Sequence, residues 1–589
     1  MGAFEAATFT VGEREFLLDG RPLRLLSGAL HHFRVHEAQW DHRLATLRAL
    51  GLNCVETYVP WNLHEPRPGE VRDADALGRF LDAAGRAGLR AIVRPGPYIC
   101  AEWENGGLPH WLTGPLGRRV RTADPAYLRA VERWFTVLLP QITARQCTVG
   151  GPVVLVQAEN EYGSYGTDTA YLTWLAELLR ARGVTVPLFT SDGPEDHMLT
   201  GGSVAGVLAA VNFGSGAREA FAALRRHRPS GPLLCAELWC GWFAHWGEPP
   251  APDDPGRAAR ELRAALECGA SVNLYMAHGG TSFGGHAGAN RAGELHDGPL
   301  QPTVTSYDYA APIDERGRPT AKFPLFREAL APYADAPPPP PPAPWPVLGA
   351  PVGVCLDRWA APDAVMDALG GPEVATPVPA TFEELDVDRG LVRYRLRVPG
   401  PRRPYPLRVR GLRDRAVTFV DGAPGPELDT EEALLGEVPG PAEVELWVES
   451  LGRVNYGPRL GEPKGLTGGV LHERQYLHGV RARGLRLDAF EDAAAVARLP
   501  FGPARPGARG LHRGTVTVPP GDTGDALLEL PGWTRGFAWL GGFPLGRYWS
   551  AGPQHTLYVP GPVLRDGPNE VLLLELAGAE GAGAPRLVP

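Results

Sequence analysis

The chain is nearly without lysine: of its 58 basic residues only Lys322 and Lys464 are lysines. Arginine carries the rest, and together with 74 glycines and 61 prolines in 589 residues this skew reads as the imprint of a GC-rich genome rather than of chemistry. No basic block stands out and the net charge is −9, which argues against a protein that tracks nucleic-acid phosphates. No uninterrupted apolar run approaches the ~20 residues of a membrane span. The opening MGAFEAATFTVGEREF has no basic stretch followed by an apolar one, so no secretory signal is read there. Cysteines are few, seven, and never in CxxC spacing, which argues against a metal knuckle or a disulfide framework. These absences predict a cytoplasmic protein with reduced thiols and with neither nucleic-acid nor membrane partners. At ~150 residues per domain, the length predicts two to four domains with ample core.

One boundary is plain. Residues 336–346, APPPPPPAPWP, can continue neither helix nor sheet and act as a semi-rigid spacer. Before it, eight short apolar runs alternate with amphipathic stretches. The runs are LRLLSGAL (23–30), CVETYV (54–59), AIVRP (91–95), VVLVQAEN (153–160), VPLFTSD (186–192), VLAAVNF (207–213), LLCAEL (233–238) and SVNLYMA (271–277). Between most of them lie segments such as WDHRLATLRAL (40–50) and YLRAVERWFTVLLPQI (127–142), with Leu and Ala at three- and four-residue spacing. This pattern predicts an α/β (β/α)8 TIM barrel over 1–335. A doubly wound open sheet would carry a Gly-rich phosphate turn after an early strand, and SGALHH is not one.

After the spacer the runs shorten and alternate, as in LVRYRLRVPG (391–400), EVELWVES (443–450) and GTVTVPPG (514–521). Two all-β jelly-roll or sandwich domains are expected, over 347–485 and 486–589, the second galactose-binding-like. The segments RDRAVTFVDGAPG (413–425) and TRGFAWLGGFPLG (534–546) read as a degenerate repeat.

In such a barrel the chemistry gathers at the C-terminal ends of the strands. Carboxylates, amides and aromatic residues crowd these ends, which suits a sugar pocket: rings stack on pyranose faces and carboxylates read hydroxyls. Glu161 ends the fourth run and Glu237 the seventh, on opposite sides of a closed barrel's mouth. Cleaving a glycosidic bond with retention needs two carboxyls ~5 Å apart, one as nucleophile and one as an acid that later serves as base. His31, His32, His278 and His286 have no metal-ligand spacing, so neither a metal nor another cofactor is expected.

GGPVVLVQAENEYGSYG (150–166), TYVPWNLHEP (57–66), RPGPYICAEWENGGLPHWL (94–112), GASVNLYMAHGGTSFG (269–284) and TSYDYAAPIDE (305–315) resemble the signatures of glycoside hydrolase family 35 β-galactosidases of the short bacterial form. GRVNYG (452–457) and RYW (547–549) extend the resemblance into the β region. It implies a retaining exo-β-galactosidase with Glu161 as acid/base, Glu237 as nucleophile and Asn160 at the sugar 2-hydroxyl. It further implies that Tyr58, Cys100, Ala101, Glu102 and Tyr307 hold the galactose ring and its hydroxyls, and that Tyr275 holds the nucleophile. Trp239 and Trp242, with Tyr456, are read as an aromatic clamp on the leaving sugar, favouring β-1,3 linkages. The rival readings are an exo-β-glucosaminidase or other exo-glycosidase on the same scaffold, and a non-catalytic glycan-binding protein. The expected partner is a small oligosaccharide. A C-terminal region shorter than in larger members of the family is compatible with a homodimer.

Overall fold

The computed structural model describes residues 4–589. Eight strands close into a barrel: β1 (Leu26–Ala29), β2 (Cys54–Tyr58), β3 (Arg90–Arg94), β4 (Val153–Gln157), β5 (Leu188–Asp192), β6 (Leu208–Phe213), β7 (Leu234–Trp239) and β8 (Ser271–Tyr275). Every neighbouring pair is parallel, including the closing pair of β8 with β1. These are the eight runs read from the sequence, and they are apolar along their whole length because helices cover one face while the barrel interior covers the other. The helices begin where capping chemistry predicts. Asp124 accepts from the backbone N–H of Ala126 at 2.8 Å with Pro125 in the first turn, and Asp254 with Pro255 repeats the device. Among the helices that the periodicity reading did not name, Asp196–Gly202 and Ala217–His227 lie between barrel strands. The first is only seven residues long, and in the second three alanines stand in for the apolar stripe.

A three-stranded antiparallel sheet over residues 9–23 closes the bottom of the barrel, where Phe9 and Phe16 stack at 5.3 Å and join its core. The proline-rich segment does not swing free of the barrel. His42 meets the Ala343 carbonyl at 2.9 Å, and the Arg43 guanidinium lies 5.6 Å from the Trp345 ring centre.

The two expected β domains are all-β sheets, with a correction to their boundary. Strand 352–360, placed by the sequence reading in the first β domain, pairs with Gly510–Val518 and Arg586–Val588 in the C-terminal sheet. The reason is hydrophobic: Leu348 and Val354 are buried in the core that holds Val516, Leu528 and Leu587. The chain thus leaves the barrel, lays one strand into the C-terminal sheet, builds the middle sheet over 374–486, and returns. The two repeat-like segments are both hairpins, turning at Asp421-Gly422 and Gly541-Gly542, but they lie in different sheets. No helix of the described residues is long and apolar enough to cross a membrane.

The middle domain reaches the top of the barrel through the GRVNYG loop. Ala289 and Asn455 donate to the carbonyls of Arg453 and Ala289 at 3.0 Å each, and the Arg453 N–H is held by Glu104 at 2.7 Å.

Candidate active site

At the C-terminal mouth of the barrel lies a cavity of about 260 Å³. Its wall includes Tyr58, Cys100, Ala101, Glu102, Asn160, Glu161, Glu237, Trp239, Trp242, Tyr275 and Tyr456, so all but one of the residues singled out from the sequence meet in one place. The exception is Tyr307. It stands behind the wall, where its hydroxyl donates to Glu102 Oε2 at 2.5 Å and meets the Tyr275 hydroxyl at 3.2 Å.

The two glutamates face different surroundings. Glu237 Oε1 lies 2.7 Å from the Arg94 guanidinium and accepts from the Tyr58 hydroxyl at 2.8 Å, while Oε2 accepts from the Trp239 indole N–H at 2.9 Å. Three donors, one of them cationic, make this a site built for a carboxylate. Burial works against the Arg94 charge, but Tyr58, Glu237 and Glu56 around it outweigh that and hold the guanidinium protonated. Glu161 has one side-chain donor, Asn212 Nδ2 at 3.0 Å, and Asn212 is steadied by the Ser191 hydroxyl at 2.5 Å. Burial, and then the charge on Glu237, push the Glu161 carboxyl up to about 8. Glu161 is therefore held protonated near neutral pH, while Glu237 lies under three donors that suit a carboxylate. That asymmetry is what an acid and a nucleophile sharing one site require.

Tyr275 differs from its expected role. Its hydroxyl pairs with Tyr307 and not with Glu237, because Tyr58, Arg94 and Trp239 already occupy that carboxylate. Tyr58, expected on the sugar ring, stands on the cavity wall and is also a donor to Glu237, with Asn160 Oδ1 3.0 Å from the same hydroxyl. Arg94 also donates to Asn160 Oδ1 and to Gln157 Oε1, at 2.6 Å each, and so fixes the amide beside Glu161.

The loop after β3 presents Cys100, Ala101 and Glu102 in three consecutive left-handed conformations, with φ of 56°, 55° and 45°. Each costs about 1–2 kcal/mol in a non-glycine residue. Neighbouring elements hold them there: the Ala101 carbonyl accepts from Arg34 at 2.5 Å and the Glu102 carbonyl from the Gly288 N–H at 2.9 Å. Glu161 itself sits at φ 44°, so the site concentrates backbone strain as functional sites do. Burial pushes Glu102 up to about 7, with the Tyr307 hydrogen bond and Arg34 pulling the other way. Asn455, from the middle domain, reaches Glu102 Oε1 at 3.4 Å and Cys100 Sγ at 3.6 Å.

The aromatic group is arranged as a rim. Trp242 is 46% exposed, lies edge-on to Trp239 at 5.8 Å and stacks on Phe243 at 4.9 Å. Tyr456 meets His296 edge-on at 5.1 Å on the other wall. The histidines considered for a metal have other work: His31 packs on Phe33 and meets Arg34 at 2.6 Å, and burial followed by the Arg34 charge holds it neutral.

The sequence reading missed Arg94, Asn212, Phe243, Asn290, His296, Tyr309 and Asn455 as parts of this site. Arg94 carried a signal, a charged residue ending the apolar run AIVR. Asn212 carried the same signal at the end of VLAAVNF, and Asn455 lies in GRVNYG, but which group each would serve depends on what packs beside it.

A family model described as Glycosyl hydrolases family 35 matches residues 15–333. Models described as Beta-galactosidase, first all-beta domain, and Beta-galactosidase, galactose-binding domain, match 379–486 and 510–569. A β-galactosidase of Xanthomonas manihotis is 40% identical over 562 residues, covering 94% of this chain and 91% of its own length. A Mus musculus protein named β-galactosidase-1-like is 39% identical, with 97% and 90% covered, and the Homo sapiens β-galactosidase is 37% identical, with 96% and 86% covered. Since the family model spans more than half of the sequence and the relatives align along nearly all of it, this chain belongs to glycosyl hydrolases family 35 and is a glycoside hydrolase.

Proposed function

We propose that the protein is a retaining exo-β-galactosidase that removes terminal non-reducing β-D-galactose from oligosaccharides in two displacements. The observation that carries this reading is the unequal pair in one small cavity: Glu237 under three donors, and Glu161 pushed up to about 8 by burial and by Glu237. In the first step Glu237 attacks the anomeric carbon, the bond to the leaving oxygen breaks, and that oxygen takes the Glu161 proton. Glu237 is then an ester without charge, so one of the causes that hold the Glu161 proton disappears. Glu161 can now act as base: it takes a proton from water, the water oxygen bonds to the anomeric carbon, and Glu237 leaves as a carboxylate.

The galactose specificity is supported by the relatives' names and by Glu102, Cys100 and Ala101, which a strained loop fixes on the wall. A cavity of about 260 Å³ falls below the roughly 300–1,000 Å³ of pockets for larger ligands, which favours one sugar unit and hence exo action. Trp239, Trp242 and Tyr456 at the rim would stack on the next sugar, and a β-1,3 linkage is our preferred reading. Seven free thiols favour a cytoplasmic enzyme acting on imported di- and trisaccharides, and a homodimer is the assembly to be checked by sedimentation.

The test is hydrolysis of p-nitrophenyl β-D-galactoside against the β-glucoside and β-glucosaminide, with Glu161→Gln and Glu237→Gln alongside. NMR of the first-formed sugar reports the anomer. Release of β-galactose from the galactoside alone, abolished in both variants, is expected. Preference for the glucosaminide would keep the mechanism and overturn the substrate, and α-anomer as first product would overturn retention. Trp239 also serves Glu237, so the clamp is tested at Trp242: a Trp242→Ala enzyme that kept kcat/KM on disaccharides while losing it on aryl galactosides would sink it.

A further inference from the structure

Beneath the carboxyl pair lies a third buried carboxylate that the mechanism above does not use. Glu56 and Tyr58 are two apart on β2, so both side chains point to the same side of the strand, into the barrel. Tyr58 reaches Glu237 directly. Glu56, 1% exposed, reaches it twice through intermediaries. Its Oε1 lies 3.9 Å from Arg94 Nε, and Arg94 in turn sits 2.7 Å from Glu237 Oε1. Its Oε2 accepts from Asn273 Nδ2 at 3.3 Å, and the same amide donates at 2.9 Å to the carbonyl of Ala236, the residue just before Glu237.

We propose that Glu56 is a positioning residue for the reaction, an anion that divides the charge of Arg94 with Glu237 and locks, through Asn273, the backbone from which Glu237 projects. The physical logic is one of competition. A guanidinium committed to Glu237 alone would stabilise the free carboxylate and so oppose its attack, whereas the ester formed in the first step has no charge for Arg94 to hold. A second anion on the other side of Arg94 weakens that ground-state stabilisation and keeps the arginine in place when Glu237 becomes an ester. The charged groups facing Glu56 are Arg94 from β3 and Glu237 from β7; Tyr58 and Cys54, on its own strand, are neutral, because burial pushes both up. Glu56 is itself pushed up to about 7, by burial first and by Glu237 after the opposing pull of Arg94. Near neutral pH its ionisation therefore reports on the same cluster.

This inference rests on the two-displacement reading but not on the identity of the sugar. The experiment is the pH dependence of kcat/KM for Glu56→Gln and Glu56→Asp, on whichever aryl β-glycoside the wild type cleaves best. An error in the galactose reading changes that substrate and leaves the comparison intact. Glu56 is ionised only toward and above pH 7, so removing it makes the site less negative on the basic limb alone: that limb of the Glu56→Gln profile moves to lower pH, by roughly one unit, and the maximal rate falls roughly tenfold, while the acid limb stays in place. Glu56→Asp keeps the charge but withdraws it by one methylene, so its basic limb moves less and part of the rate returns. A basic limb that stays at its wild-type position in Glu56→Gln overturns the proposal, whatever the loss of rate, since a residue that only packs would not move it. Should Glu56→Gln fail to fold, Glu56→Asp decides alone: a basic limb moved to lower pH supports the proposal and an unmoved one refutes it.

Discussion

Replacing Glu161 by glutamine should remove activity, and should also make the protein more stable, by an amount that depends on pH. The carboxyl is pushed from an ordinary 4.5 up to about 8 in the folded chain, by burial and by Glu237. Below pH 4.5 it is protonated folded and unfolded alike and costs nothing. As pH rises from 4.5 toward 8 the unfolded chain releases the proton while the folded chain keeps it, so stability is lost through that window and the full penalty is reached above pH 8. At 1.36 kcal/mol per pH unit the upper bound is about 5 kcal/mol. Glu161 is only partly buried and faces the open mouth, so solvent screens a share of this and about 2 kcal/mol is the working figure. Glutamine pays none of it. Thermal unfolding of wild type and Glu161→Gln should coincide near pH 4 and separate to roughly 3 °C in favour of the variant at pH 8. A melting difference that is constant with pH, or one that reverses at pH 8, would refute the account of why Glu161 holds its proton.

Other consequences follow from the same contacts. Arg94→Met leaves Glu237 and Glu56 buried without their shared cation; kcat/KM should fall at least ~10³-fold, with a loss of about 3–5 kcal/mol in denaturant melts. Asn455→Ala removes a middle-domain contact to Glu102 and Cys100 but none to the carboxyl pair. KM should therefore rise several-fold, for about 1 kcal/mol, with kcat close to wild type in steady-state assays. Lys464 Nζ holds both oxygens of buried Asp414, at 2.8 and 2.9 Å. Lys464→Met strands that charge and should lower stability by about 3–5 kcal/mol, while kcat/KM of the surviving enzyme is unchanged at low temperature.

How much of this could be read from the chain is clearest at particular residues. The eight barrel strands were legible because a strand covered on both faces must be apolar throughout, and VVLV or AIV can scarcely be anything else. Glu161 and Glu237 were legible because a carboxylate placed directly after such a run is carried to the rim. The strand at 352–360 was misplaced because an alternating run announces a sheet without saying which one. Val354 finds Val516 more than 150 residues later, and only the folded core makes that choice.

By itself, then, the sequence determined the barrel, the spacer, the β character beyond it and the two glutamates, since each follows from local periodicity or from residue type at a strand end. The tertiary structure alone decided which groups hold those glutamates. Arg94 and Tyr58 from adjacent strands and Trp239 beside it converge on Glu237, Asn212 from β6 serves Glu161, and Asn455 arrives from another domain. The upward push on the Glu161 carboxyl has the same origin: a proton's preference depends on burial, nearby charge and donors, and these are supplied by residues distant in the chain and adjacent only once it has folded.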